Sequence, residues 1–176
     1  MLPRKTGSSL RETSGRTKIP EGTRSAVACF PLPLGLLHMP AHPRVLEFDV
    51  SVDRSGDARS ALGGSALPRE EEWWAEHLVL TGLVRCTLAS MGHAARCAGL
   101  EWTSAGAAHG VVTKRADDGL YAFVDIETTF EVSLDPLPDH EAVKNLVAKA
   151  EHGCFVSNSL RTTPRHRWIV NGQEVK

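Results

Sequence analysis

The sequence predicts an α+β fold in which helices pack on an antiparallel sheet. Three observations carry that prediction. A long run of helical character from Pro68 to about Cys97 precedes two β-rich runs, LEWTSAGAAHGVVTKR and LYAFVDIETTFEVSL. The turn signal ADDG joins those runs and pairs them as a hairpin. A second helical run and a terminal strand then complete the order strand, long helix, hairpin, helix, strand.

The chain of 176 residues is long enough for one domain with a core, since folds of this size bury about 70% of their unfolded surface. Hydrophobic residues make up 41%, charged residues 23%, and the formal net charge is −1. That balance belongs to ordinary soluble globular proteins and argues against a nucleic-acid binder, a collagen-like chain or a wholly disordered one. No uncharged apolar run approaches the roughly 18 residues of a membrane span. Charge is nonetheless uneven: residues 1–38 carry six basic side chains against Glu12 and Glu21. Up to Arg24 they hold almost nothing to bury, the composition of a disordered tail. AVACFPLPLGLLHM then imitates a signal peptide, interrupted by Pro31 and Pro33 and followed by no clear cleavage site. The expectation is an N-terminal extension over 1–38 and one domain over 39–176, with Met39 an alternative start and a cytoplasmic location.

Within that domain, RVLEFDVSV (44–52) alternates Val45, Phe48, Val50 and Val52 with polar neighbours and reads as a strand. DRSGDARSALGGSAL (53–67) reads as a Gly- and Ser-rich loop. Pro68 suits a first helical position, and Glu70, Glu71 and Glu72 suit the positive end of the helix dipole. After the hairpin, DPLPD is a stiff link in which Asp139 caps a second helix, with Val143, Leu146, Val147 and Ala150 on one face and Gly153 at its end. FVSNSL is a candidate helical turn, and RWIVNG the last strand.

Four cysteines, Cys29, Cys86, Cys97 and Cys154, lack the paired spacing of a zinc ribbon, and structural disulfides are not expected. On the long helix, Ala75, Val79, Gly82, Cys86 and Ser90 form a stripe of mostly small residues, suited to close approach of a second helix. Burial as small filler is the plainer account of Cys86. His93 and Cys97, four apart, are two potential ligands; Cys86 lies about 10 Å along the axis from His93, too far to join them at one ion. No metal is expected. Trp73 and Trp74, being adjacent, fall on different helix faces, so at least one is expected to face a partner.

The segments EHLVLTGLVRC (76–86) and HGCFVSNSL (152–160) resemble the two cysteine motifs of the OsmC/Ohr organic hydroperoxide reductases. Glu76, Leu78, Gly82 and Cys86 match the first by spacing, and Cys154, Val156, Ser157 and Leu160 the second. The resemblance spans residues 40–176. It implies an OsmC-like fold, an antiparallel sheet with a long central helix and a second helix, assembled as an intertwined homodimer. It also implies a thiol peroxidase: Cys86 attacks an organic hydroperoxide, and Cys154 resolves the sulfenic acid as a disulfide. Both steps suit thiol chemistry, because the thiolate is the nucleophile and a sulfenic acid condenses with a nearby thiol.

By the same resemblance Glu76 orients an Arg from the early loop that organises the thiolate; Arg54 is the candidate, with Arg59 the alternative. Arg85 precedes Cys86 but points about 100° away on the helix. Glu76 and Cys86 are about 15 Å apart along a continuous helix, too far for one site within a single chain, so their cooperation suggests a dimer. No cofactor is expected beyond an external dithiol reductant of the lipoyl type, and neither nucleic acid nor membrane is an expected partner.

Three departures from the family mark a divergent branch: Phe155 stands where Pro usually follows the second Cys, AEHL replaces Pro-Glu-x-Leu, and the early loop that carries Arg54 and Arg59 is shorter than in the hydroperoxide reductases. Trp73, Trp74 and Phe155 favour an alkyl or fatty-acid hydroperoxide over hydrogen peroxide. The alternative function is a non-catalytic or redox-responsive protein that holds a small hydrophobic ligand in the cleft between subunits.

Overall fold

A computed structural model describes residues 45–69 and 73–175, all within the unit Met39–Lys176. The expected extension over 1–38 and the glutamates 70–72 lie outside the described residues. The elements are β1 (Val50–Val52), β2 (Ala58–Ser60), α1 (Ala75–Cys97), β3 (Glu101–Lys114), β4 (Tyr121–Asp135), α2 (His140–His152), α3 (Phe155–Ser159), β5 (Arg165–Val170) and β6 (Gln173–Val175).

The first strand is shorter than its alternation predicts, and the expected loop beyond it holds β2, paired antiparallel with β1. Asp53 organises the turn between them, accepting from the Ser55 and Asp57 N–H groups at 3.0 and 3.1 Å. Pro68 does not open the long helix. That helix starts at Ala75, where the His77 Nδ1 accepts the Trp74 N–H at 3.1 Å and so ties the first turn back on itself, as the third residue of a capping box does. Trp73 and Trp74 therefore precede the helix instead of lying on two of its faces, and both are exposed. The far end matches expectation: Gly99, at φ +72°, lets the Leu100 N–H reach the Ala95 carbonyl and its own N–H reach that of Arg96. That double closure satisfies carbonyls the helix would leave open.

β3 and β4 form the predicted hairpin, in register from Glu101↔Asp135 to Lys114↔Tyr121 with one irregularity at Val111/Val112. In its turn Gly119 has φ +70°, and Asp118 both pairs with Arg115 and accepts the Leu120 N–H at 3.0 Å. Asp139 caps α2 as predicted, accepting the Ala142 N–H at 2.8 Å.

The main sheet runs β3-β4-β5-β6 and is mixed, not antiparallel as predicted, because β5 pairs with β4 in parallel. The reason lies in the connection. Residues 136–164 carry α2 and α3 across one face and return the chain to Glu127, midway along β4, the crossover that a parallel neighbour requires. The run RWIVNG, predicted as the last strand, ends β5 and turns into one strand more. Asn171 and Gly172, at φ 47° and 78°, turn the chain into β6, and the Asn171 side chain accepts from the Leu134 N–H at 2.8 Å while donating to its carbonyl at 3.0 Å.

The core lies between the sheet and the helices. Phe130 and Trp168 stack with centroids 4.4 Å apart, beneath Met91, Ala95, Leu146 and Ala150. Each large side chain so buried stabilises by about 1.5–3 kcal/mol. Over its most apolar 18 residues α1 has a mean hydropathy of 1.3, enough by length and composition to cross a membrane, although the sequence reading found no such run. Its Leu83, Thr87, Met91, Ala94 and Ala95 are buried against the rest of this fold, where it serves as the core helix.

Gly92 sets how closely α1 approaches β3: a Cβ there would meet the Trp102 ring at 2.1 Å. Gly92→Ala is therefore expected to cost about 1–3 kcal/mol, read as a lower urea midpoint at unchanged slope; an unaltered midpoint would show that the ring yields freely.

Candidate functional site

Cys86 and Cys154 are brought together by two elements. Cys86 lies midway along α1, and Cys154 is the residue that links α2 to α3 and caps the latter. Both are free thiols. They share one cluster, in which buried Leu83, Ile126 and Cys154 are packed by Leu80, Cys86, Phe123, Val156 and Leu160. The α2–α3 link reaches α1 because residue 153 is glycine: a Cβ there would stand 2.3 Å from the Ser90 Oγ. Ser90, the last member of the small-residue stripe, thus receives this link, whereas Gly82 faces open space and Val79 remains exposed.

The two sulfurs have different surroundings. Cys154 is fully buried. Its sulfur lies 3.3 Å from the Ser157 N–H, 3.1 Å from the Thr87 hydroxyl and 4.0 Å from the Leu83 carbonyl oxygen. Cys86 is partly open to solvent. Burial pushes its thiol up; the neighbouring Cys154 adds to that, while the backbone N–H groups of Val156 and Phe155 act in the opposite sense. In the chain on its own Cys86 therefore carries less thiolate at neutral pH than an ordinary cysteine. Its labelling by iodoacetamide is expected to climb through a midpoint above the usual thiol value of about 8.5, and Cys154→Ser to bring that midpoint down. A midpoint well below the usual value in an isolated subunit would contradict this account.

Glu76 is exposed on the first turn of α1, Arg54 lies exposed in the β1–β2 turn, and Arg59 is exposed on β2. Among the described residues no hydrogen bond or ion pair joins any of the three to either cysteine. The paired cysteines are thus assembled within one chain, and the charged residues assigned by resemblance are not. Among the described residues no group of three or more His, Cys, Asp or Glu side chains is placed to hold a metal ion.

Thr87 is a site neighbour that sequence reasoning missed. Fully buried, it follows Cys86 and touches the other sulfur. Its only trace in the sequence is a hydroxyl at a position where the apolar period of α1 calls for a hydrophobic side chain.

A core helix and a helical turn that bring two free thiols together define a dithiol protein of α+β fold. A family model described as OsmC-like protein matches residues 70–168, more than half of the chain, and the chain belongs to the OsmC family. No curated protein sequence matches. Among solved structures, an OsmC-like protein of unknown function from Vibrio cholerae is similar at 13% identity and TM-score 0.59, covering 71% of this chain and 100% of its own. An OsmC-like protein from Mycoplasma pneumoniae is similar at 14% identity and TM-score 0.57, covering 72% and 97%. An organic hydroperoxide resistance protein from Elizabethkingia anophelis is similar at 16% identity and TM-score 0.52, covering 72% and 96%. At such identities the likeness is one of fold.

Proposed function

We propose that this chain is a thiol peroxidase that reduces organic hydroperoxides, with Cys86 as nucleophile and Cys154 as resolving thiol. The observation that carries the reading is the pairing itself: a partly accessible thiol packed against a fully buried one, both free. The Cys86 thiolate attacks a peroxide oxygen; the O–O bond breaks, the alkoxide leaves and takes a proton as the alcohol, and Cys86 becomes a sulfenic acid. The Cys154 thiolate then attacks that sulfur. A disulfide forms, the S–O bond breaks, and hydroxide leaves to become water. An external dithiol of the lipoyl type returns both thiols by exchange and is itself oxidised to its disulfide.

Apolar neighbours support an organic substrate. Leu80, Phe123, Val156 and Leu160 surround the pair, and Phe155, 58% exposed, stands beside Cys154 at the surface. The organic hydroperoxide resistance protein of similar fold agrees with that substrate class. We assign the assembly as a homodimer, supported by the exposed alternating face of Phe48, Val50 and Val52 and by the length of helix between Glu76 and Cys86. Glu76 and Arg54, or Arg59, would then reach Cys86 from the other copy. Function as a diffusible thiol enzyme fits a reducing, cytoplasmic setting.

The test is a titration of the reduced protein with cumene hydroperoxide, its cysteines mapped by mass spectrometry. One equivalent is expected to yield a Cys86–Cys154 disulfide with loss of one peroxide. Two intact thiols after excess peroxide would overturn the reading and favour the ligand-holding alternative, for which unchanged affinity for a small hydrophobic ligand in a Cys86→Ser, Cys154→Ser double variant is the mark.

A further inference from the structure

Thr87 has one hydroxyl hydrogen and two acceptors within reach: the Leu83 carbonyl oxygen at 2.9 Å, one helical turn back, and the Cys154 sulfur at 3.1 Å. A hydroxyl hydrogen turns about its C–O bond, so it points to whichever acceptor carries more charge. While Cys154 is a thiol its sulfur is a weak acceptor, and the carbonyl is the better partner for the hydrogen. When Cys154 is a thiolate, no water reaches the fully buried sulfur, and among the described residues the donors on it include the Ser157 N–H at 3.3 Å and this hydroxyl, besides the neighbouring Cys86 side chain. An anion in such a place depends on its donors, because an unpaired buried charge is costly.

We propose that Thr87 is a positioning residue for the resolving half of the reaction, its hydroxyl swinging from the Leu83 carbonyl to support the Cys154 sulfur as an anion. The inference rests on the peroxidase reading and deepens it. Cys154 must be a thiolate twice. It attacks the Cys86 sulfenic acid, forming the S–S bond as the S–O bond breaks and hydroxide departs. Later, when the external dithiol attacks Cys86 in the disulfide, Cys154 departs with the electron pair of the broken S–S bond and afterwards takes up a proton. A donor on its sulfur favours both events, and the first step, at Cys86, does not use it.

Thr87→Val keeps the shape and removes the hydrogen; Thr87→Ser keeps the hydrogen and trims a methyl. With one equivalent of cumene hydroperoxide, Thr87→Val is expected to form the Cys86 sulfenic acid at the wild-type rate but to hold it at least about 10-fold longer, trapped by dimedone, since hydrogen bonds to charged groups are the strong ones. The pH profile of disulfide formation should also move upward, and Thr87→Ser should resolve like wild type. Resolution in Thr87→Val at the wild-type rate, or in Thr87→Ser as slow as in Thr87→Val, overturns the proposal. A second arm is independent of peroxide chemistry. The disulfide is made with diamide, and its cleavage by dithiothreitol is followed. Slower cleavage in Thr87→Val alone supports the hydroxyl's hold on the Cys154 anion even if no peroxide is consumed, an outcome that sinks the peroxidase reading and with it the role in resolution, but not that contact. Equal cleavage in all three proteins, or no disulfide with either oxidant, overturns it.

Discussion

Cys86→Ser is expected to lower the rate of organic hydroperoxide consumption by a factor on the order of 10³ or more, because a serine hydroxyl is not ionised at neutral pH and cannot replace a thiolate nucleophile. Cys154→Ser should behave differently. It retains the attacking thiol, so one equivalent of peroxide still yields one equivalent of alcohol at close to the wild-type rate. What it loses is the partner that converts the sulfenic acid to a disulfide. Excess peroxide then drives Cys86 on to sulfinic and sulfonic acids, which dithiols do not reverse. Stopped-flow consumption and intact mass, read together, separate the roles: a mass gain of two or three oxygens in Cys154→Ser and none in Cys86→Ser assigns the nucleophile. The burial of the two sulfurs supports that order, since Cys154 is sealed beneath the cluster and Cys86 is partly open. If Cys86→Ser consumed peroxide and Cys154→Ser did not, the assignment would be reversed.

What could be read in advance divides by range. The Asp139 cap, the ADDG turn and the helix end near Cys97 are decided within a few residues, and the structure places all three where the sequence does. The parallel pairing of β4 with β5 is decided by how residues 136–164 cross the sheet, and no local pattern encodes it. The β5–β6 hairpin is an intermediate case. Asn171–Gly172 is a strong turn signal, but β6 is three residues long, too short for its own alternation to register. At the site the two cysteines were legible through the spacing of their motifs. Thr87 was not: its contact with Cys154 spans 67 positions and exists only because α3 folds back on α1. The helix start was misplaced for a similar reason. Pro68 is a good first helical residue, yet the chain there is engaged with β2, where Leu67 bridges Ala58 and the Arg69 N–H donates to Asp57 at 3.2 Å.

On the dimer reading, placing charge on the β1 face is expected to dissociate the protein and silence it together. Val50 and Val52 alternate along β1 and share one side of it, and Phe48 precedes the strand at the same spacing. They are 74%, 71% and 65% exposed in a single chain. Burying such side chains against a second copy stabilises by about 1.5–3 kcal/mol each, and a carboxylate at the same positions cannot be buried unpaired. Phe48→Glu with Val50→Glu is therefore expected to elute as a monomer of 19.1 kDa, against about twice that for the wild type on the dimer reading. The consequence for chemistry follows from the site. Within one chain the Cys86 thiol is pushed up by burial and by Cys154, and Glu76, Arg54 and Arg59 make no bond to it. The monomer should keep two free thiols and an iodoacetamide midpoint above the ordinary thiol value, and lose peroxidase activity. On the dimer reading the assembled protein should label through a lower midpoint, because a guanidinium brought from a second copy would favour the thiolate. A fully active monomer would mean that one chain holds everything the reaction needs, and the charge support for Cys86 would have to come from the Val156 and Phe155 N–H groups instead.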